Sequence, residues 1–119
     1  MDHLVRVFKA LSDSTRATIL TQLSDEALCV GAIASRLGVT HSAVSQHLRV
    51  LREVGLVTGD KRGSWVHYSL DRGRVREVSG QFSHWLEQLA SAPEGKCAHG
   101  TCPASPRRAA SVHARGRSR

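Results

Sequence analysis

Fourteen residues, Val39 to Arg52, restrict what this chain can fold into more than any other stretch: Val-Thr-His-Ser-Ala-Val-Ser-Gln-His-Leu-Arg-Val-Leu-Arg. Wound as a helix, they put Val44, Leu48 and Leu51 on one side at i, i+4 and i+7. Ser42, Ser45, Gln46 and Arg49 then fall on the opposite side. Arginine is the only charge there, and every side chain on it can hydrogen-bond. The Thr40 hydroxyl can accept from an orphan amide of the first turn, and Gly55 can end the helix in the left-handed conformation. Gln and Arg match the donor and acceptor pairs of base edges in a DNA major groove, while Ser bonds bases or phosphates. A solvated face on an ordinary amphipathic helix has the same look, so the neighbouring segments decide.

Those neighbours agree with one another. Val30 to Leu37 reads as a short helix with Ile33, Ala34 and Leu37 inward, stopped by Gly38. Gly38-Val39-Thr40 is then a tight turn, and the pair reads as helix-turn-helix. After Gly55 the apolar period changes to two. Leu56-Val57-Thr58 and Trp65 to Leu70 read as strands, with Val66, Tyr68 and Leu70 on one face. Gly59 to Ser64 is the expected turn between them, and its Lys61 and Arg62 place two cations near the tip. A basic hairpin directly after a reader helix is a wing, suited to phosphates or the minor groove.

Two further helices precede this unit and one follows it. Residues 3–11 carry Leu4, Val5, Phe8 and Leu11 as one stripe. A second helix runs from the Ser12-Asp13-Ser14 cap region to about Leu23, with Ile19, Leu20 and Leu23 inward. Residues 74–90 carry Val75, Val78, Phe82, Trp85, Leu86 and Leu89. So wide a stripe in so small a domain is a core lid or a subunit contact. Paired with the first helix it would make a two-fold homodimer, which presents two reader helices to half-sites one helical turn apart. The expected fold class is mainly α with a β-hairpin wing, a winged helix-turn-helix, over residues 1–90. Residues 91–119 are expected to form a basic, largely disordered tail.

Charge supports a nucleic-acid partner. The formal net charge is +7. Residues 36–76 hold eight bases against three acids, and residues 91–119 hold six against one. The positive charge thus lies on the reader segment and the tail, where it suits an anionic polymer. No apolar run is long enough to span a membrane and no signal peptide is legible, which leads to the expectation of a cytoplasmic protein without a membrane partner. No Ser/His/Asp, Cys/His or paired-carboxylate set can be assigned to one pocket, so an enzyme is not expected.

With these residues in hand, the chain resembles the ArsR/SmtB family of small dimeric winged-helix repressors, most of which release DNA on binding metal or metalloid ions. The resemblance rests on Phe8-Lys9-Ala10-Leu11-Ser12-Asp13-Ser14-Thr15-Arg16, on Ile33 to Val39, on Ser42 to Leu51, on Gly55-Leu56-Val57, on the wing Lys61-Arg62-Gly63 and on Tyr68-Ser69-Leu70. It spans about residues 3–90. It implies double-stranded operator DNA as partner, read by Ser42, Ser45, Gln46, His47 and Arg49. Thr40 and His41 at the helix start, with Lys61 and Arg62 in the wing, complete the expected DNA-binding set.

The resemblance also implies an ion. The family's metalloid sensors carry Leu-Cys-Val-Cys just before the helix-turn-helix; here Leu28-Cys29-Val30-Gly31 keeps only Cys29. Its zinc and nickel sensors carry Asp-x-His and His-x-x-Glu or His-x-x-His pairs on the last helix. Asp71, His84 and Glu87 have that mutual spacing here, with Gly73 in place of the first histidine. Apart from the resemblance, Cys97-Ala98-His99-Gly100-Thr101-Cys102 puts three soft or borderline donors within six residues. Thiolates with imidazole suit zinc, arsenic, cadmium or mercury, and nickel less so. Cys97, His99 and Cys102, joined by Cys29, are the expected ligands. The alternatives are a regulator of the same fold that answers to redox or to a partner, and a metal- or thiol-binding protein without specific DNA readout.

Overall fold

The computed structural model describes residues 1–91, Pro93 and Gly95. The tail, with Cys97, His99 and Cys102, lies outside the described residues. Eight elements follow in order: α1 (Asp2–Leu11), α2 (Ser14–Leu23), β1 (Leu28–Cys29), α3 (Val30–Leu37), α4 (His41–Glu53), β2 (Val57–Arg62), β3 (Trp65–Leu70) and α5 (Arg72–Ser91). The strands form one antiparallel sheet in the order β1-β3-β2. This is the expected winged helix-turn-helix.

Local chemistry accounts for the boundaries. The Asp13 carboxylate caps α2 by accepting from the Arg16 amide at 3.0 Å. Gly38 takes φ 69 and closes α3, a backbone that L side chains adopt only with strain. The Thr40 hydroxyl accepts from the Ala43 amide at 3.1 Å and opens α4. At the far end of α4, Gly55 has φ 80. Its amide donates to the Arg52 carbonyl and that of Leu56 to the Leu51 carbonyl, at 2.9 and 3.1 Å, which is a Schellman closure. Asp71 opens α5 in the way Asp13 opens α2, accepting from the Arg74 amide at 3.0 Å.

The core lies where α2, α3 and α4 meet the sheet. Besides Val7 of α1, Ile19, Leu23, Ile33, Val44, Leu48 and Leu51 are its most enclosed side chains, each at most 1% exposed. Burying a side chain of that size contributes about 1.5–3 kcal/mol. All three inward residues expected of the reader helix are among the six.

Four expectations change. On α1 the inward residues are Leu4, Val7 and Ala10, while Val5 and Leu11 are 40% and 37% exposed. Phe8 turns to α5 instead, 5.1 Å from the Phe82 ring and 5.9 Å from that of Trp85. One ten-residue helix therefore presents two apolar faces, which a single-stripe reading merges into one. Second, β1 pairs Leu28 with Tyr68 and Cys29 with His67, and two residues are too few for any period to show. Third, β2 continues through Lys61 to Arg62, which stands opposite Trp65. The hairpin loop shrinks to Gly63-Ser64, with Gly63 at φ 63. Fourth, α5 starts at Arg72, buries none of its residues, and leaves Val75, Phe82, Leu86 and Leu89 38–57% exposed.

Candidate nucleic-acid interface

Helix α4 is held firmly on its inner side and left free on its outer side. Val44, Leu48 and Leu51 are buried, and both ends are closed as described above. Thr40, His41, Ser42, Ser45, Gln46 and Arg49 are exposed. Among the described residues, the side chains of Ser42, Ser45, Gln46 and Arg49 make no hydrogen bond within the chain. Their donors and acceptors are thus available to an external partner, on a helix whose position the core has settled. Such an arrangement suits base edges in a major groove.

His47 does not join them. Its side chain is only 21% exposed and turns towards the start of α2. Its Nδ1 lies 3.1 Å from Arg16 Nη1 and 3.9 Å from Asp13 Oδ2. The seventh residue of a helix lies a full flank away from the Ser42/Gln46/Arg49 side, and here that flank faces α2. The Asp13 carboxyl is held below its ordinary value, first by the Arg16 amide, then by the charge that His47 carries when protonated, and by the Arg16 guanidinium.

The wing keeps both cations exposed. Arg62 Nε bonds Asp60 Oδ2 at 3.2 Å, with both side chains more than 60% exposed. Lys61 makes no ion pair among the described residues. Trp65, at the wing tip, is 62% exposed. Two residues that sequence reading missed position the wing. Gly59 sits opposite Tyr68, and a Cβ there would lie 3.1 Å from that ring and 3.2 Å from Val66, so a side chain would require these two neighbours to shift. Arg52, near the end of α4, places its guanidinium 5.9 Å from the centre of the Tyr68 ring. Sixteen residues of sequence separate that pair, and no local pattern announces it.

Among the described residues, the expected ion ligands are scattered. Cys29 is half-buried at the entrance to α3. It borders a cavity of ≈ 220 Å³ between the wing and the starts of α3 and α4, shared with Gly31, His41, Trp65 and Tyr68. A Cβ on residue 31 would stand 4.0 Å from Cys29 Sγ, 4.0 Å from His41 Nε2 and 3.6 Å from His41 Cε1. Glycine at 31 thus leaves a small space between a thiol and an imidazole. Asp71, His84 and Glu87 do not converge within one chain. Asp71 caps α5, and thirteen residues of helix put His84 roughly 20 Å away. Among the described residues, no three Cys, His, Asp or Glu side chains gather closely enough to hold a metal ion.

Comparison with known proteins gives a consistent picture. Residues 13–58 match the family model for bacterial regulatory proteins of the arsR family. The chain is 41% identical over 87 residues to the HTH-type transcriptional regulator NmtR of Mycobacterium tuberculosis, which covers 73% of this chain and 72% of that one. It is 41% identical to the cadmium resistance transcriptional regulatory protein CadC homolog of Staphylococcus aureus, with 71% of each chain covered. Among solved structures, it is similar to the homodimeric winged helix-turn-helix DNA-binding domain Mb0332 of Mycobacterium bovis. That similarity has TM-score 0.61 and 27% identity, and it covers 80% of this chain and 89% of that one.

Proposed function

The chain belongs to the ArsR family of bacterial transcriptional regulators, and from that premise we propose that it is a homodimeric repressor which reads operator DNA and is released by a thiophilic metal or metalloid ion. It is a DNA-binding regulator and not an enzyme. The observation that carries the finer reading is the contrast across α4: three buried anchors on one side, and on the other Ser42, Ser45, Gln46 and Arg49, whose side chains make no hydrogen bond among the described residues. These four, with Thr40 and His41 at the helix start, make the base and phosphate contacts. Lys61 and Arg62 meet the flanking backbone.

The exposed apolar faces of α1 and α5 support dimerisation, as does the similarity to a homodimeric domain. No helix among the described residues is long and apolar enough to cross a membrane. A DNA-reading role places the protein in the cytoplasm with the chromosome.

For the inducer, relatives named for resistance to cadmium and to arsenicals support a soft ion. Cys29 and His41 fit one chemically, as a sulfur and a nitrogen around the space over Gly31. Two donors leave a tetrahedral ion incomplete, and Cys97, His99 and Cys102 supply the rest. Such an ion would draw the tail towards the entrance of α3 and α4. DNA release follows only if the ion binds the DNA-free arrangement more tightly than the DNA-bound one.

The test is a selection from a random duplex pool, followed by gel shifts on the winner, apo and with Zn(II), Ni(II), Cd(II), Hg(II) or As(III). Two half-sites one helical turn apart and release by at least one ion are expected. Absence of any preferred sequence overturns the DNA reading. A Cys97→Ser/Cys102→Ser variant that responds as fully as the wild type overturns the ligand assignment.

A further inference from the structure

Three helices meet at one guanidinium. Arg16, in the first turn of α2, donates from Nε to the Ala10 carbonyl at 2.6 Å and from Nη2 towards the Lys9 carbonyl at 3.5 Å. Both carbonyls lie in the last turn of α1, where the helix runs out of its own amide donors; that of Lys9 also accepts from the Ser12 amide and hydroxyl. The remaining nitrogen, Nη1, points at Nδ1 of His47 on the reader helix, 3.1 Å away. The far side of α1 carries Phe8 against Phe82 and Trp85 of α5. Arg16 is thus the polar joint between the α1/α5 pair and the helix that reads DNA.

The chemistry of this joint admits one protonation state. A guanidinium donates only, so Nδ1 of His47 must accept, and the imidazole must be neutral with its proton on Nε2. A second proton would put an N–H against an N–H and a cation against a cation. Asp13 Oδ2 stands 3.9 Å from the same nitrogen and is, among the described residues, the carboxylate placed to receive an imidazolium. The adjoining cleft is bordered by Arg6, Lys9 and Arg16 and by Glu53 of α4. His47 therefore has two alternative partners within one side-chain rotation, and only the neutral form engages Arg16.

We propose that Arg16 and His47 are positioning residues for DNA readout: neutral His47 braces the reader helix against α1 through Arg16, and protonation passes His47 to Asp13 and releases that brace. His47 then affects specificity without touching a base. Loss of the brace lets α4 settle less closely against its base edges, while phosphate contacts persist.

The test uses the full chain and two duplexes of equal length: one selected by the wild type at about pH 8 from a random pool, and one unselected. Anisotropy titrations at fixed salt give the ratio of the two affinities from about pH 8 down to about pH 5.5, a range in which histidine titrates and carboxylates do not. The wild-type ratio should fall about three- to tenfold, the effect of losing one hydrogen bond. In His47→Gln, which keeps an acceptor and cannot titrate, it should stay level. His41 is present in both proteins, so its own titration cancels in the comparison. Arg16→Lys keeps the charge and lacks the fork, and should show a lowered ratio already at about pH 8. Parallel pH profiles for wild type and His47→Gln overturn the proposal, as does an Arg16→Lys ratio equal to that of the wild type. If a variant does not fold, imidazole 15N shifts of the wild type decide: Nδ1 unprotonated at about pH 8 is expected, and a proton on it overturns the proposal.

Discussion

The guanidinium of Arg52 lies 5.9 Å from the ring centre of Tyr68, tying the last turn of the reader helix to the middle strand of the sheet. The two are far apart in sequence, and the contact ties α4 to the sheet that carries the hairpin. Tyr68 also stands opposite both Leu28 and Gly59, at the centre of the β1-β3-β2 sheet. A double-mutant cycle with Arg52→Ala and Tyr68→Leu should give a coupling of about 0.5–1 kcal/mol in DNA affinity. Additive single effects would show that the contact does not bear on binding.

Readout and grip should separate by residue. Gln46→Ala and Arg49→Ala should each cost about 1–3 kcal/mol on the selected duplex and little on an unselected one. Lys61→Ala should weaken both alike and lower the salt slope by about one. Parallel salt titrations of the three variants make the comparison. Equal losses on both duplexes for Gln46→Ala would remove that residue from the reader set.

The dimer is best tested away from the intramolecular contacts. Trp85 packs on Phe8 of its own chain, so changing it disturbs the fold as well as any interface. Leu86 and Leu89 are 44% and 57% exposed. Leu86→Glu should therefore keep its melting temperature yet sediment as a monomer and lose most of its DNA affinity. A wild type that sediments as a monomer at micromolar concentration would place the interface elsewhere.

The core should respond as a single packed unit. Leu48 is 1% exposed and sits among Val44, Leu51 and Ile33 in one buried cluster. Leu48→Ala should destabilise the domain by about 2–5 kcal/mol. Urea unfolding measures it, and a loss below about 1 kcal/mol would mean the cluster can collapse around the cavity.

Acid should weaken the start of α2. Because the folded Asp13 carboxyl sits below its ordinary 3.8, its stabilising effect is complete above that value. It fades as pH falls through the lower folded value. Asp13→Asn retains a cap but not the charge, so its melting temperature should fall less steeply with acid than that of the wild type. Identical acid limbs would assign the loss to other carboxylates.

The helices, the turn at Gly38, the wing and the outer face of α4 were legible in the sequence because each depends on neighbours a few residues away. A period of 3.6 or 2, a Thr or Asp that can cap, and a Gly that can take positive φ are local properties, and they sufficed to place the fold and the exposed outer face of α4. His47, expected on that face, shows the limit of local reading. A pattern places it on a helix flank but cannot say that Arg16, thirty-one residues earlier, waits there. The two-residue strand β1 carries no period at all, and the division of α1 between core and α5 depends on what lies on each side of it.

The sequence by itself determined which segments are helix or strand and which faces are apolar, since backbone hydrogen bonding and side-chain period are set within a turn or two. Tertiary structure alone decided what each face meets. It put Arg16 between three helices, brought the Cys29 thiol and the His41 imidazole to the space over Gly31, and separated Asp71, at the start of α5, from His84 in its second half. Those relationships depend on how the chain closes its core, where contacts are made between residues far apart in sequence and the gain from burial outweighs any local preference.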